Sequence, residues 1–532
     1  MHAMGTVFFL AFFLFISESA ATTRRVPQDF AKIQLAINGA VNGDTVLVSE
    51  GTYKENLLIT KKITLASLFY QDKDTSHISK TIIDGSAPSN IDSASVVIIN
   101  GATDTTMVVC GFTITGGTGT SVLNGAFRFG GGINIEGGGA TIKNNIISKN
   151  TITGIKDVYG AGINIYPGGT YEISYWIVEN NIIVNNAASS SATATNGAEA
   201  AGAALANNGR FNNNLVMNNT VSGVYRGNGG GVGISGTPGH GSTNIEMSNN
   251  RIQGNQASNN GGGMLLYTYS SSVPYVVIKN NIISGNSANN NGSAILVISG
   301  DYNFINNTIT NNTGLSSLNL RIDFGALNSR FLNNIIWNPN SLVEINTGAT
   351  FNAHYNCIRG GYAGTGNFNS DPLFVANDSL YHLSNSSPCI GAGISSDSVG
   401  GSLLNAPLFD YFNTPRPRAA GTKPDIGAVE SDFSTDVEEL SERIPTSFGL
   451  EQNFPNPFNP STTIRYALPN SANVKLAIYD LLGREITTLV NEEQSAGWKE
   501  VEWNGSAFSS GFYFYKLHAG NFIEMKKMML VK

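Results

Sequence analysis

Charge is what this chain has least of. Asp, Glu, Lys and Arg make up only 13% of its 532 residues, about half the usual share of a soluble domain. Asn, Ser, Thr and Gly must therefore supply most of the polar surface. A net charge of -7 and a pI near 5.5 leave no basic footprint for nucleic acid. Cysteine is scarce as well: Cys110, Cys357 and Cys389 show neither a CxxC nor a Cys/His zinc spacing. Cys110 precedes the strand-like GFTIT and reads as a buried thiol. Cys357 and Cys389 could pair, which spacing alone does not decide. Long apolar runs are missing too. The stretch from Val7 to Ile16 is too short to span a bilayer and is followed by the small residues Ser19, Ala20 and Ala21. It reads as a secretory signal over residues 1–21, although no Lys or Arg precedes it, and no transmembrane segment is expected.

What is abundant is asparagine in a fixed phrase. NNIIVNN (180–186) returns as NNIISKN from 144, NNLVMNN from 213, NNRIQGN from 249, NNIISGN from 280, NNTITNN from 306, NNIIWNP from 333 and YNCIRGG from 355. Successive copies lie 36, 33, 36, 31, 26, 27 and 22 residues apart. A glycine mark alternates with them: GGGINI from 130, GAGINI from 160, AGAALA from 201, GGGVGI from 229, GGGMLL from 261 and GSAILV from 292. Two short apolar segments per period, joined by unequal polar loops, describe a solenoid of short strands. A 3.6-residue apolar rhythm is absent.

The fourth position of the phrase is always branched: Ile147, Ile183, Val216, Ile252, Ile283, Ile309, Ile336 and Ile358. Strand alternation turns it inward and leaves the third position, which tolerates Arg251, Thr308 and Cys357, exposed. The second position is Asn145, Asn181, Asn214, Asn250, Asn281, Asn307, Asn334 and Asn356. Two residues before the inward aliphatic, it should face inward as well, accept the left-handed corner and form an amide ladder from coil to coil. The repeat is then scaffold, not eight ligand sites.

This pattern resembles the right-handed parallel β-helix family of pectate-lyase-like proteins over roughly residues 26 to 360. In DFAKIQLAINGA (29–40), Phe30, Ile33 and Ile37 share a helical face, with Asp29 as N-cap and Gly39 near the stop. With the following GTYKEN turn, this looks like the capping helix that opens many such solenoids. The expected fold is all-β: a parallel β-helix over 22–370 behind a short capping helix, followed by a small immunoglobulin-like sandwich. DPLF (371–374), YHLSNSSPCIGAG (381–393) and PDIGAVE (424–430) resemble a choice-of-anchor closing module, placed at 371–430, in which PRPR (415–418) is extended wrapping. A linker (431–447) leads to FGLEQNFPNPFNPSTTIRYALP (448–469), VKLAIYDLLGREITTLV (474–490), AGWKEVEWNG (496–505) and SSGFYFYKLHAGNFIEMKKMMLVK (509–532). These resemble a type IX secretion sorting domain over 448–532, with Pro457, Asn459, Pro460, Gly483, Gly497 and Gly511 at its turns. The resemblance implies the type IX secretion machinery as a partner, and a secreted or outer-membrane-surface location on a Gram-negative bacterium.

The catalytic phrases of β-helix enzymes are not found. Lys156, Asp157, Glu199, Arg226, Asp301, Arg321 and Asp323 are scattered and read as solvated loop charge. The GHG around His240 lacks the partners that a polygalacturonase-like hydrolase needs. No cofactor or metal ligand set is identified, and calcium stays open. Three long corners between a glycine mark and the next phrase are richer. They carry Tyr166, Tyr171, Tyr175 and Trp176, then His240, then Tyr267, Tyr269 and Tyr275. Such aromatic faces suit sugar rings. The expected function is polysaccharide binding or processing at the cell surface. A lyase or glycoside hydrolase and a non-catalytic adhesive protein are the alternatives.

Overall fold

The computed structural model describes residues 21–531 except 102, 123–126, 166–174, 192–196, 236–242, 269–274, 315–317, 326–327, 341–342, 348–350, 419–421, 432–444, 446 and 482. The predicted signal segment and most of the linker lie outside the described residues. The chain forms two compact units, a solenoid with its closing module and a C-terminal sandwich.

The first unit is a right-handed parallel β-helix. One coil runs Thr141–Lys143, Ile146–Ser148, Thr151–Gly154, Val158–Tyr159 and Ile163–Ile165 before Trp176–Glu179 opens the next. We number the sheets that stack from these strands I to V in that order. Among the described residues sheets I, II and V contain 12, 11 and 10 strands, and sheets III and IV contain six each. Pairing is in register, as where Ile147 meets Ile183 and Ile183 meets Val216. All eight fourth-position aliphatics are buried in one core, where truncating an Ile to Ala costs about 2–5 kcal/mol.

The asparagine phrase builds two corners. Left-handed conformation falls on its first residue, at Asn144, Asn180, Asn213, Asn249, Asn280, Asn306, Asn333 and Tyr355, and in the second corner on its sixth, at Lys149, Asn185, Asn218, Gly254, Gly285 and Asn311. This corrects the expectation that the second position makes the corner. The second asparagine lies inside, its amide donating to the Oδ1 of the next coil: Asn145 to Asn181 and Asn181 to Asn214 at 3.1 Å, Asn250 to Asn281 at 2.9 Å, Asn307 to Asn334 at 2.9 Å. A parallel ladder of Asn150, Asn186, Asn219, Asn255, Asn286 and Asn312 fills the other corner. Asn338 ends it, its amide donating to the Glu344 carboxylate at 2.7 Å.

The helix that covers the first coil is Ile33–Gly39, burying Ile33, Ala36 and Ile37. Asp29 does not cap it, contrary to expectation, and accepts from Arg25 N instead at 2.8 Å. Glu55 of the GTYKEN turn takes that role, accepting from Ile33 N at 2.9 Å and Gln34 N at 3.0 Å. At the far end, the closing module covers part of sheet II. Ile282, Thr308, Ile335 and Cys357, expected to be exposed, are outward in register yet buried. Apolar residues of the module, Leu383, Ile390 and Ile426, pack on Ile335 and Cys357. First-position asparagines fasten the module: Asn280 donates to Phe409 O, Asn306 to Asp425 O and Asn333 to Ile394 O. Arg416 of PRPR is buried and donates to the carbonyls of Asp425, Gly427 and Ala428.

The C-terminal unit is a sandwich of two antiparallel sheets. Gly449–Leu450, Ser461–Leu468 and Gly497–Asn504 form one. Ala472–Tyr479, Glu485–Gln494, Gly511–Ala519 and Phe522–Leu530 form the other. Between them lie Ile464, Tyr466, Leu476, Trp503, Tyr515 and Leu517. The Tyr515 hydroxyl is satisfied there, donating to Glu451 O at 2.7 Å and accepting from Asn453 N at 2.6 Å.

Candidate functional site

Where the corners of the phrase repeat asparagine, the outer face of sheet IV repeats no one residue. Sheet pairing aligns Phe129, Tyr159, Glu199 and Asn228 in one column. Asn260 and Asn291 extend it through amide bonds, Asn260 to Asn228 at 3.1 Å and Asn291 to Asn260 at 3.2 Å. Beside it on sheet V runs a second outward column: Asn134, Asn164, Ala204, Gly233, Leu265, Leu296 and Arg321. Between the columns lies a cleft of about 580 Å³ whose lining includes Asp157, Tyr159, Glu199, Arg226, Asn260, Tyr267 and Arg321. This volume suits a small organic ligand or part of a polymer. From Tyr159 to Arg321 the cleft crosses five coil steps, about 24 Å at the inter-strand spacing.

The second column thins to Ala204 and Gly233 beside Glu199, which leaves room over the carboxylate. Burial pushes the Glu199 carboxyl up to about 7, against the pull of Arg226; nearby Asp157 raises it further. Asp157 is itself raised by burial, while its carboxylate accepts from Gly197 N at 2.7 Å. The Tyr267 hydroxyl approaches Glu199 Oε2 at 3.4 Å. The Arg226 guanidinium lies 5.6 Å from the centre of the exposed Tyr225 ring. Ala200, directly after Glu199, has φ +57, where the aligned Gly229 has +71. A non-glycine residue in that region stores strain, and such strain gathers at functional sites. The aligned glycine mark thus begins at Ala200, one residue earlier than the sequence reading placed it. A bulge at Ile298, where Tyr267 pairs with Ser299, shapes the same wall.

The charged residues expected as solvated loop charge are therefore not scattered. Asp157, Glu199, Arg226 and Arg321 come from four coils into one cleft. Lys156 and Asp301 do not line it, and the side chain of Asp323 lies outside the described residues. The aromatic expectation divides differently. Tyr166, Tyr171, His240 and Tyr269 lie outside the described residues, as does the Tyr275 side chain. Tyr175 is 41% exposed and accepts from Arg210 Nε at 3.1 Å. Trp176 is not a loop aromatic. It begins a strand in the inward phase, is wholly buried, and donates from Nε1 to Ala206 O at 2.8 Å. Tyr267 alone of that set is seen in the cleft. Tyr159 and Tyr225 were missed. The signal for the floor column was present in the sequence: Phe129, Tyr159, Glu199, Asn228, Asn260 and Asn291 each directly precede a glycine mark once that mark is aligned at Ala200.

Among the described residues no three His, Cys, Asp or Glu side chains converge as a metal cluster. No described helix is long and apolar enough to cross a membrane.

The family model of the secretion system C-terminal sorting domain matches residues 452–532. The C-terminal unit is a type IX secretion sorting domain. This sorting domain implies export, to the medium or to the cell surface. Among solved structures, the tailspike protein gp49 from Acinetobacter baumannii bacteriophage Fri1, a capsular polysaccharide depolymerase, is similar at 10% identity with a TM-score of 0.30. That likeness covers 97% of this chain and 78% of that one. No curated protein matches the chain.

Proposed function

We propose that the chain is an exported, surface-acting enzyme that cleaves polysaccharide in the cleft between sheets IV and V. The carrying observation is Glu199, a carboxyl raised to about 7 on the floor of a long open cleft, with the second carboxyl of Asp157 nearby. A carboxyl that holds its proton near neutrality can donate it to a glycosidic oxygen as the bond breaks. Asp157 would serve as the partner carboxylate that activates water or steadies the positive charge developing on the sugar ring. Tyr159 and Tyr225 offer flat faces to sugar rings, and the amides of Asn260 and Asn291 offer hydroxyl partners further along. Arginine stays protonated in proteins, so Arg226 and Arg321 suit attraction of acidic groups better than proton abstraction. A protonated Glu199 with the Asp157 carboxylate nearby is the kind of pair that hydrolysis uses.

The test is incubation of the full chain with a panel of acidic and neutral polysaccharides. New reducing ends without unsaturated product are expected, and Glu199→Gln should lower turnover by about 10²–10⁴-fold. Unsaturated ends would instead establish a lyase. Glycan-array binding without turnover would overturn the enzymatic reading in favour of adhesion, and silence in both assays would leave a structural role.

A further inference from the structure

Outside the cleft lining, the two cysteines that sequence left open share one buried cluster at the seam between the solenoid and its closing module. Cys357 is the third-position residue of the last asparagine phrase, turned outward from sheet II. Cys389 belongs to the module, in SSPCIG. Both are wholly buried, and they share one apolar cluster with Ile335, Leu383, Ile390 and Ile426. The neighbouring Cys357 thiol, together with burial, pushes the Cys389 thiol far up. The Cys357 thiol donates to Ser370 O at 3.1 Å, and Cys389 N donates to Ser387 Oγ at 3.2 Å. The surrounding hydrogen bonds hold the two segments firmly: Ile426 N donates to Cys389 O at 3.0 Å and Cys357 N to Asn334 O at 2.9 Å. The third cysteine, Cys110, is buried in a separate cluster with Ala66 and Phe69.

We propose that the exported protein joins Cys357 and Cys389 in a disulfide that staples the closing module to the last coil. The thiols are unbridged in the structure, but an exported chain folds in an oxidising compartment, where such thiols pair. Forming the bond removes two protons and two electrons from two thiols. The electrons pass by thiol–disulfide exchange to the disulfide form of an envelope oxidase, which leaves as a dithiol. Exchange needs access, and neither sulfur is accessible once the module has docked. The bond therefore forms before docking is complete, and reductant reaches it again only as the chain unfolds. Closing the loop between residues 357 and 389 restricts the unfolded chain at the end of the solenoid where no further coil stacks.

The experiment uses the full chain recovered after export from its cell, denatured and alkylated with and without prior reduction, then digested for mass spectrometry. One alkylated thiol, at Cys110, is expected without reduction and three with it, together with a linked peptide pair carrying Cys357 and Cys389. Three alkylated thiols without reduction would overturn the proposal, and this readout requires no variant. Heating adds a second check. Cys357→Ala and Cys389→Ala should lower the unfolding midpoint by similar amounts and make it insensitive to reductant, whereas Cys110→Ala should stay reductant-sensitive. Midpoints that ignore reductant in the parent chain and in all three variants would overturn the proposal as well.

Discussion

The inner and outer faces of the same coils follow opposite rules. Inside sheet II and its two corners, one residue type recurs at each level: branched aliphatics at the fourth position of the phrase and asparagines in both corners. Outside, the column of sheet IV runs Phe129, Tyr159, Glu199, Asn228 and then two further asparagines, changing in its first four coils. A stacked coil needs identical partners above and below to satisfy buried amides, so the asparagine corners cannot vary without loss. A solvent-facing column has no such requirement, and variation there is free to serve a ligand. In this solenoid, constancy marks scaffold and departure from constancy marks the place to look for chemistry.

Breaking the inner rule should have the largest effect. Asn250 Oδ1 accepts from Asn214 N at 2.9 Å, and its amide donates to Phe211 O at 2.7 Å. Asn250→Leu orphans both buried partners and adds bulk to a filled corner, so a loss of about 3–6 kcal/mol is expected. Chemical denaturation monitored on the first unit would measure it; a loss below 1 kcal/mol would show that the ladder is ornamental. Breaking the outer rule should do the reverse. Glu199→Gln, near-isosteric with the protonated acid, should abolish most turnover while leaving the unfolding midpoint near neutral pH unchanged or raised.

A pH profile sharpens the same contrast. Glu199 and, in the closing module, Glu430 are both raised by burial from 4.5 to about 7. Between those values the folded chain keeps protons that the unfolded chain has released, so the unfolding free energy falls as pH rises. Their contribution is complete below about 4.5 and is lost as pH passes about 7. Glu199→Gln should flatten part of this slope and Glu430→Gln another part, because the two side chains share no contact. An unfolding midpoint flat across that range in the parent chain would contradict both assignments.

How much of this was legible in the sequence follows from the same division. The β-helix, the Ile column and the second-position asparagines could be read because repetition lets one copy explain another. The closing module's grip on Asn280, Asn306 and Asn333 could not, since those side chains look the same in the phrase whether they meet solvent or a later segment. The cleft was hidden for a stronger reason. Its members stand singly on successive coils, tens of residues apart and chemically unlike, so no local phrase announces them. Trp176 was misplaced because a loop boundary one residue off reverses the phase of the strand that follows.

The smallest predicted effect tests whether the cleft is tuned as well as assembled. The Tyr267 hydroxyl approaches Glu199 Oε2 at 3.4 Å, a long contact that favours the charged carboxylate and so lowers its pKa slightly against the larger push from burial. Tyr267→Phe removes that donor and keeps the ring. A neutral hydrogen bond contributes about 0.5–1.5 kcal/mol, which corresponds to roughly a 2–10-fold change in rate. The acid should then hold its proton to a slightly higher pH, so the alkaline limb of the turnover profile moves upward while the acid limb stays. A purely structural role for the hydroxyl would lower turnover evenly across pH and leave both limbs in place. An upward move of the alkaline limb alone ties Tyr267 to the proton on Glu199, and with it the outer column to chemistry that the inner ladders do not share.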